Sequence, residues 1–139
     1  MLRQARAKIA SDRVFFVVAD LTKPWPCKSE SFELIVCNLV LEHIEDLDAI
    51  FAEVSRALKP GGRFCLGELH PFRQYKGTKA NFQTGNEAIE IQAFVHHLSD
   101  FTEAARVNGL ALRRMKEWWH EEDQNKLPRL VSFIIGVKR

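Results

Sequence analysis

The chain has 139 residues, 46% of them hydrophobic and 27% charged, with a formal charge of +2. That is the size and make-up of one ordinary globular domain with a sizeable core. So small a charge on scattered basic residues argues against nucleic acid, and no apolar run approaches the roughly 20 residues a membrane span needs. The three cysteines are not spaced for zinc, and their odd number argues against a disulfide frame. The start of the chain has no continuous apolar region of the signal-peptide kind, and the expected compartment is the cytoplasm.

In chain order, Met1 to Ala10 reads as a helix with Leu2, Ala5 and Ile9 on one face. Ser11-Asp12-Arg13 breaks it. Val14-Phe15-Phe16-Val17-Val18-Ala19 has strong strand propensity, and Asp20 stands just past its end. Leu21 to Ser31 is a loop, because Pro24 and Pro26 rule out regular structure around Trp25. Phe32 to Cys37 is apolar and β-branched apart from Glu33, as expected of a strand buried on both faces of a sheet. Asn38 follows at its carboxyl end, where open α/β sheets place their ligands.

Asp46 is the expected cap of the next helix, in which Leu47, Ile50, Phe51, Val54, Ala57 and Leu58 recur at helical spacing. Lys59-Pro60-Gly61-Gly62 closes that helix, and Arg63 to Leu69 returns as a strand. Strand, helix, strand in this order implies parallel pairing with a right-handed crossover. Residues 72–98 break the pattern. Thr84-Gly85-Asn86 looks like the turn of a hairpin between Phe82 and Ile89, and so long an insertion suits a lid or substrate loop. Ser99 or Asp100 is expected to cap a helix through Val107, ended by Asn108-Gly109. Leu110 to Trp119 and Leu130 to Val137 then close the domain as an antiparallel pair. The histidines and carboxylates offer no metal constellation.

Four pieces in this order resemble the Rossmann-like class I methyltransferases that use S-adenosylmethionine. They are Val17-Val18-Ala19-Asp20-Leu21; Ser31 to Asn38 with Leu41-Glu42-His43-Ile44 behind it; Glu53 to Gly62 ending in Lys-Pro-Gly-Gly; and the helix, Gly109 and two closing strands. The resemblance implies an α/β three-layer sandwich whose mostly parallel sheet has one antiparallel C-terminal strand. It implies that Asp20 accepts from the adenine amino group and that Leu21 packs near the adenine. Asn38 and Leu39 would lie beside the methionine part. His70 is the candidate base, and Arg73, Tyr75, His96 and His97 are candidate contacts to a small acceptor.

One departure stands out. The glycines, at positions 61, 62, 67, 77, 85, 109 and 136, include none in a turn between a strand and a following helix, where the family grips its cofactor. Aligned to the family, Met1 falls just after the second strand, so the first two strands and first helix are expected to be absent. The family order 3-2-1-4-5-7-6 would then leave Phe32–Asn38, Arg63–Leu69, Leu130–Val137 and Leu110–Glu117 as one sheet, with Val14–Ala19 relocated or paired between molecules. The implied activity is methyl transfer to a small acceptor, with weak cofactor binding by this chain alone. A second reading is a non-catalytic module that oligomerises, as a homodimer for example, through the exposed sheet edge. A nicotinamide-dependent enzyme is a third, against which the Lys-Pro-Gly-Gly turn and the closing strands speak.

Overall fold

A computed structural model describes residues 2–9, 11–77, 81–84, 87–90, 92–123 and 126–137. Helix α1 covers Leu2–Lys8, and strand β1 covers Phe32–Asn38. A short 3-10 turn, Leu41–His43, leads into helix α2, Leu47–Ala57. The Asp46 carboxylate accepts from the Ala49 amide at 3.1 Å and caps α2 as its sequence position predicts. The apolar stripe Leu47, Ile50, Phe51, Val54 and Ala57 is buried.

The helix ends before Lys59. Leu58 is already extended and pairs with Phe32, so strand β2 runs Leu58–Leu69 and contains the Lys-Pro-Gly-Gly segment expected to be only a turn. Gly61 meets the need for a left-handed residue there, at φ +80°. Beyond β2 come α3, Pro71–Tyr75, and a hairpin of β3, Asn81–Thr84, with β4, Glu87–Glu90. Phe82 faces Ile89 across the hairpin as expected, while Gly85 and Asn86 lie outside the described residues. Helix α4, Leu98–Val107, is capped by His97 rather than by Ser99 or Asp100. Asp100 instead accepts the His97 amide at 2.7 Å from within the first turn. Strands β5, Leu110–Trp118, and β6, Leu130–Val137, close the chain.

The main sheet has the order β1-β2-β6-β5. β1 and β2 are parallel, and β6 runs antiparallel to both of its neighbours, so three of the four strands share a direction. These are the four strands and the neighbours expected of them. Val14–Ala19, expected as a strand, has no ladder partner among the described residues. Strand propensity is local, whereas a ladder needs a neighbour for its amides and carbonyls.

The two faces of the sheet differ. On one, Phe64 and Leu66 of β2 and Val131, Phe133 and Ile135 of β6 form a core with α2 and α4. Phe51 meets Phe64 edge-on at 5.6 Å, and Phe101 of α4 lies 5.3 Å from Phe133. On the other face Leu34 and Val36 of β1 are 55% and 66% exposed. Phe32–Cys37 is therefore covered on one face only, contrary to its apolar composition. No residue of α1 with a described side chain is buried.

Candidate functional site at the carboxyl ends of β1 and β2

The ends of β1 and β2 are latched together. Asn38 pairs with Gly67, and a Cβ on Gly67 would stand 2.5 Å from the Asn38 side-chain oxygen, so the glycine lets that side chain lie close over the strand. Leu39 then turns left-handed at φ +54°, a conformation that costs a non-glycine residue about 1–3 kcal/mol. Three bonds hold it: the Leu39 amide donates to the Gly67 carbonyl at 2.8 Å, and the Val40 and Leu41 amides donate to Glu68 Oε1 at 3.2 and 3.0 Å. A bend forced on a leucine at the carboxyl edge of an open sheet, beside an exposed Asn38, is the geometry of a ligand-facing loop.

Glu68 was not among the residues the sequence singled out. It is 2% exposed, and its Oε2 has no hydrogen-bond partner among the described residues. Burial pushes its carboxyl above the ordinary range and the Glu42 charge adds to this, while the Leu41 and Val40 amides oppose it. Glu42 Oε2 is likewise buried and has no hydrogen-bond partner among the described residues. The neighbouring Cys37 thiol is pushed up to about 12, chiefly by burial and then by Glu68, which makes it an inert core thiol. The signal for Glu68 was its parity: it alternates with Phe64 and Leu66 on the buried side of β2.

Asp20 and Leu21 sit on the loop that precedes β1. Asp20 Oδ1 accepts from the Thr22 hydroxyl at 2.7 Å and the Thr22 amide at 2.9 Å, and these bonds hold the carboxyl below its usual range. Leu21 packs against the core, and its carbonyl receives the Trp25 indole N–H at 3.2 Å. The loop is pinned to α2: Glu53 accepts the Trp25 amide at 2.8 Å, and Arg56 donates to Glu53, the Cys27 carbonyl and the Trp25 carbonyl.

His70 is fully buried. Its Nδ1 accepts from the Phe72 amide at 3.2 Å, which assigns the proton to Nε2, 2.9 Å from Glu117 Oε1. Both nitrogens are thus engaged, tying β2 to α3 and β5. Arg73 donates to Asp123 at 3.3 Å. The Arg129 guanidinium lies in close contact with that same carboxylate and, by its hydrogen bond, holds it below the usual range. Tyr75 and His97 do come together, the phenol bonded to His97 Nδ1. His96 is buried with Nε2 donating to the Ile44 carbonyl at 2.7 Å and its ring against Phe101.

Backbone and side-chain hydrogen bonds bring residues 92–97 over the Leu39–Ile44 loop. The Phe94 amide donates to the Glu42 carbonyl at 2.7 Å, and Gln74 donates to the Phe94 carbonyl at 3.3 Å. The edge of β1 and β2 is thus roofed by 92–97 and walled by α3. Trp118 and Trp119, at the far end of β5, spend their indole N–H groups on Ser132 Oγ and the Lys126 carbonyl. No cluster of metal-ligating side chains occurs among the described residues.

Residues 1–66 match the family model of the methyltransferase domain. The ubiquinone/menaquinone biosynthesis C-methyltransferase UbiE of Desulfotalea psychrophila is 35% identical over 72 residues, 51% of this chain and 29% of that protein. The sterol 4-C-methyltransferase strm-1 of Caenorhabditis elegans is 35% identical over 75 residues, 53% of this chain and 22% of that protein. Among solved structures, an S-adenosylmethionine-dependent methyltransferase from Mesorhizobium loti superposes over 98% of this chain and 75% of its own, at TM-score 0.80 and 19% identity. Just under half of this chain therefore matches the methyltransferase-domain model, and nearly the whole of it shares the fold of that solved methyltransferase. The matched segments span less than a third of either curated relative.

The Mesorhizobium loti protein is S-adenosylmethionine-dependent, and the residues of this chain fit that methyl donor in part. The latched Asn38–Leu39 end and the acid Asp20 stand at the positions to which the resemblance assigns cofactor contacts. Among the described residues no glycine lies between a strand's carboxyl end and a helix amino terminus. The described glycines of positive φ, Gly61, Gly77 and Gly109, lie within β2 and after α3 and α4.

Proposed function

We propose that this domain serves methyl transfer from S-adenosylmethionine to a small-molecule acceptor, and that this chain supplies the strand-end half of the site. The observation that carries the reading is the left-handed Leu39 beside exposed Asn38, held by Gly67 and Glu68. The cofactor, when bound, supplies the activated methyl group; the protein's share is positioning, which accounts for most of such a transfer. In this reading Asn38, Leu39, Asp20 and Leu21 face the cofactor, and Arg73, Tyr75, His96 and His97 belong to the acceptor side. Of these four, Tyr75 and His97 present an exposed, hydrogen-bonded phenol–imidazole pair. His70 acts through position, holding α3 and β5 to the end of β2. Residues 72–98 serve as the acceptor-side cover.

Titrating the labelled chain with S-adenosylmethionine tests the site by NMR. Shifts should concentrate at Asp20–Leu21 and Asn38–Leu39; a response confined to other residues would overturn the assignment. Calorimetry should find weak binding, and a low-micromolar Kd would sink the half-site reading.

A second reading, in which the chain is a non-catalytic module that associates with itself as a homodimer, draws on the exposed edge of β1. A cytoplasmic setting is supported by the free Cys27, Cys37 and Cys65. Among the described residues no helix is long and apolar enough to cross a membrane. Neither nucleic acid nor a membrane is a partner in this reading, since the basic residues are scattered.

A further inference from the structure

We propose that Tyr75 and His97 form the proton-accepting pair of the acceptor side, and that the acceptor is a planar molecule bearing a phenol-type hydroxyl. The inference rests on the methyl-transfer reading above and names the chemistry of its acceptor.

Three observations carry it. First, the Tyr75 phenol is bonded to His97 Nδ1 across 22 residues of sequence, joining α3 to the start of α4. Both sides of that bond are held: Gln74 donates to the Phe94 carbonyl at 3.3 Å, and the His97 amide donates to Asp100 Oδ2 at 2.7 Å. Second, the other histidines of this region are committed to the protein. His70 spends both ring nitrogens on Phe72 and Glu117, His96 Nε2 donates to the Ile44 carbonyl, and His43 Nδ1 donates to the Gln92 carbonyl. Tyr75 is 52% exposed, and a phenol that donates to an imidazole keeps both oxygen lone pairs as acceptors. Third, rings run in a row up to that oxygen. Centroids are 4.7 Å apart for His70 and Phe72, 6.1 Å for Phe72 and Tyr75, and 5.6 Å for Tyr75 and His97. Such a row offers a flat acceptor a surface to stack on. All of these contacts lie within residues 43–117, so they hold whatever precedes Met1.

The pair's chemistry selects the acceptor. A carboxylate is already ionised and an amine attacks as its free base, whereas a neutral hydroxyl is a weak nucleophile until its proton leaves. Transfer from a phenol to Tyr75 is between like groups and nearly balanced; an alkyl alcohol holds its proton too tightly. As the acceptor oxygen takes the methyl group, its proton passes to Tyr75 Oη and the Tyr75 proton passes to His97 Nδ1. The carbon–sulfur bond of the sulfonium donor breaks with its electron pair kept by sulfur, so the positive charge lost there reappears on the imidazolium. His97 is exposed and returns that proton to water. Tyr75 touches the acceptor, and His97 acts through it.

The test uses para-nitrophenol and no methyl donor. Just below neutral pH, where much of the free probe is protonated, adding the chain should raise the phenolate absorbance to saturation, while ligand-observed NMR follows binding. Tyr75→Phe should cut the rise roughly tenfold. His97→Gln keeps an acceptor for the Tyr75 phenol; it should bind the probe as the parent does and show the same loss. An unchanged rise in His97→Gln would mean that His97 is purely structural and overturns the pair. His120→Gln, at an exposed loop position, should change nothing. Circular dichroism checks that each variant is folded. In the parent chain, binding without a phenolate rise overturns the proton-accepting role, and absence of binding overturns the phenol-type acceptor. Either failure leaves the donor contacts at Asp20 and Asn38 standing, since the S-adenosylmethionine titration reads those separately.

Discussion

The two faces of the sheet are made from the same kinds of residue and have different fates. Phe64, Leu66, Phe133 and Ile135 are sealed beneath α2 and α4, whereas Leu34 and Val36, on strands of equal apolar content, stand open. A strand's composition states a demand for burial; whether a layer arrives to meet it depends on the rest of the fold. The candidate site lies at the seam. Asn38 and Gly67 look out on the open face, and Glu68 is buried on the covered one.

The contrast predicts unequal responses to substitution. Phe133→Ala on the covered face should cost about 3–5 kcal/mol of unfolding free energy by removing a core ring. Val36→Ser on the open face should leave the folded monomer's stability nearly unchanged, and denaturant titrations of both variants measure the difference. Equal losses would mean that the open face is covered in solution.

Glu68 gives the next effect. Its folded-state pKa is raised, so the folded state holds a proton that the unfolded chain has lost, and its contribution to stability falls as pH rises above the ordinary glutamate range. Glu68→Gln keeps an acceptor for the Val40 and Leu41 amides and removes the charge. The variant should gain on the parent progressively from mildly acidic to neutral pH, as thermal melts across that range would show. A constant difference would place Glu68 in water.

The smallest effect belongs to a helix end. Asp46→Ala removes the cap of α2 and should cost about 1 kcal/mol. Chemical denaturation at neutral pH reads it, with Asp46→Asn expected to restore most of the loss.

Much of this was legible beforehand. The apolar stripe of α2, the two closing strands and the sheet neighbours followed from periodicity, from capping residues and from the family resemblance. Local rules failed where a partner was needed. Val14–Ala19 has a strand's composition and, among the described residues, no ladder partner. The Lys-Pro-Gly-Gly segment joins β2 because Leu58 finds Phe32 across the sheet. His70, chosen for its place at a strand end, has both ring nitrogens committed by Phe72 and Glu117. The residues that hold the site, Gly67 and Glu68, went unread because their partners, Asn38 and the Val40–Leu41 amides, lie far back in the chain.

What the sequence by itself determined are the properties that arise within a few residues: helix phase, caps, turn glycines and the apolar demand of each strand. Tertiary structure alone decided which demands are met, because coverage, ladder pairing and the titration of a buried acid depend on neighbours remote in sequence. Phe32–Asn38 shows both at once. Its residues made it a strand, and only the assembled sheet left one edge and one face of it open.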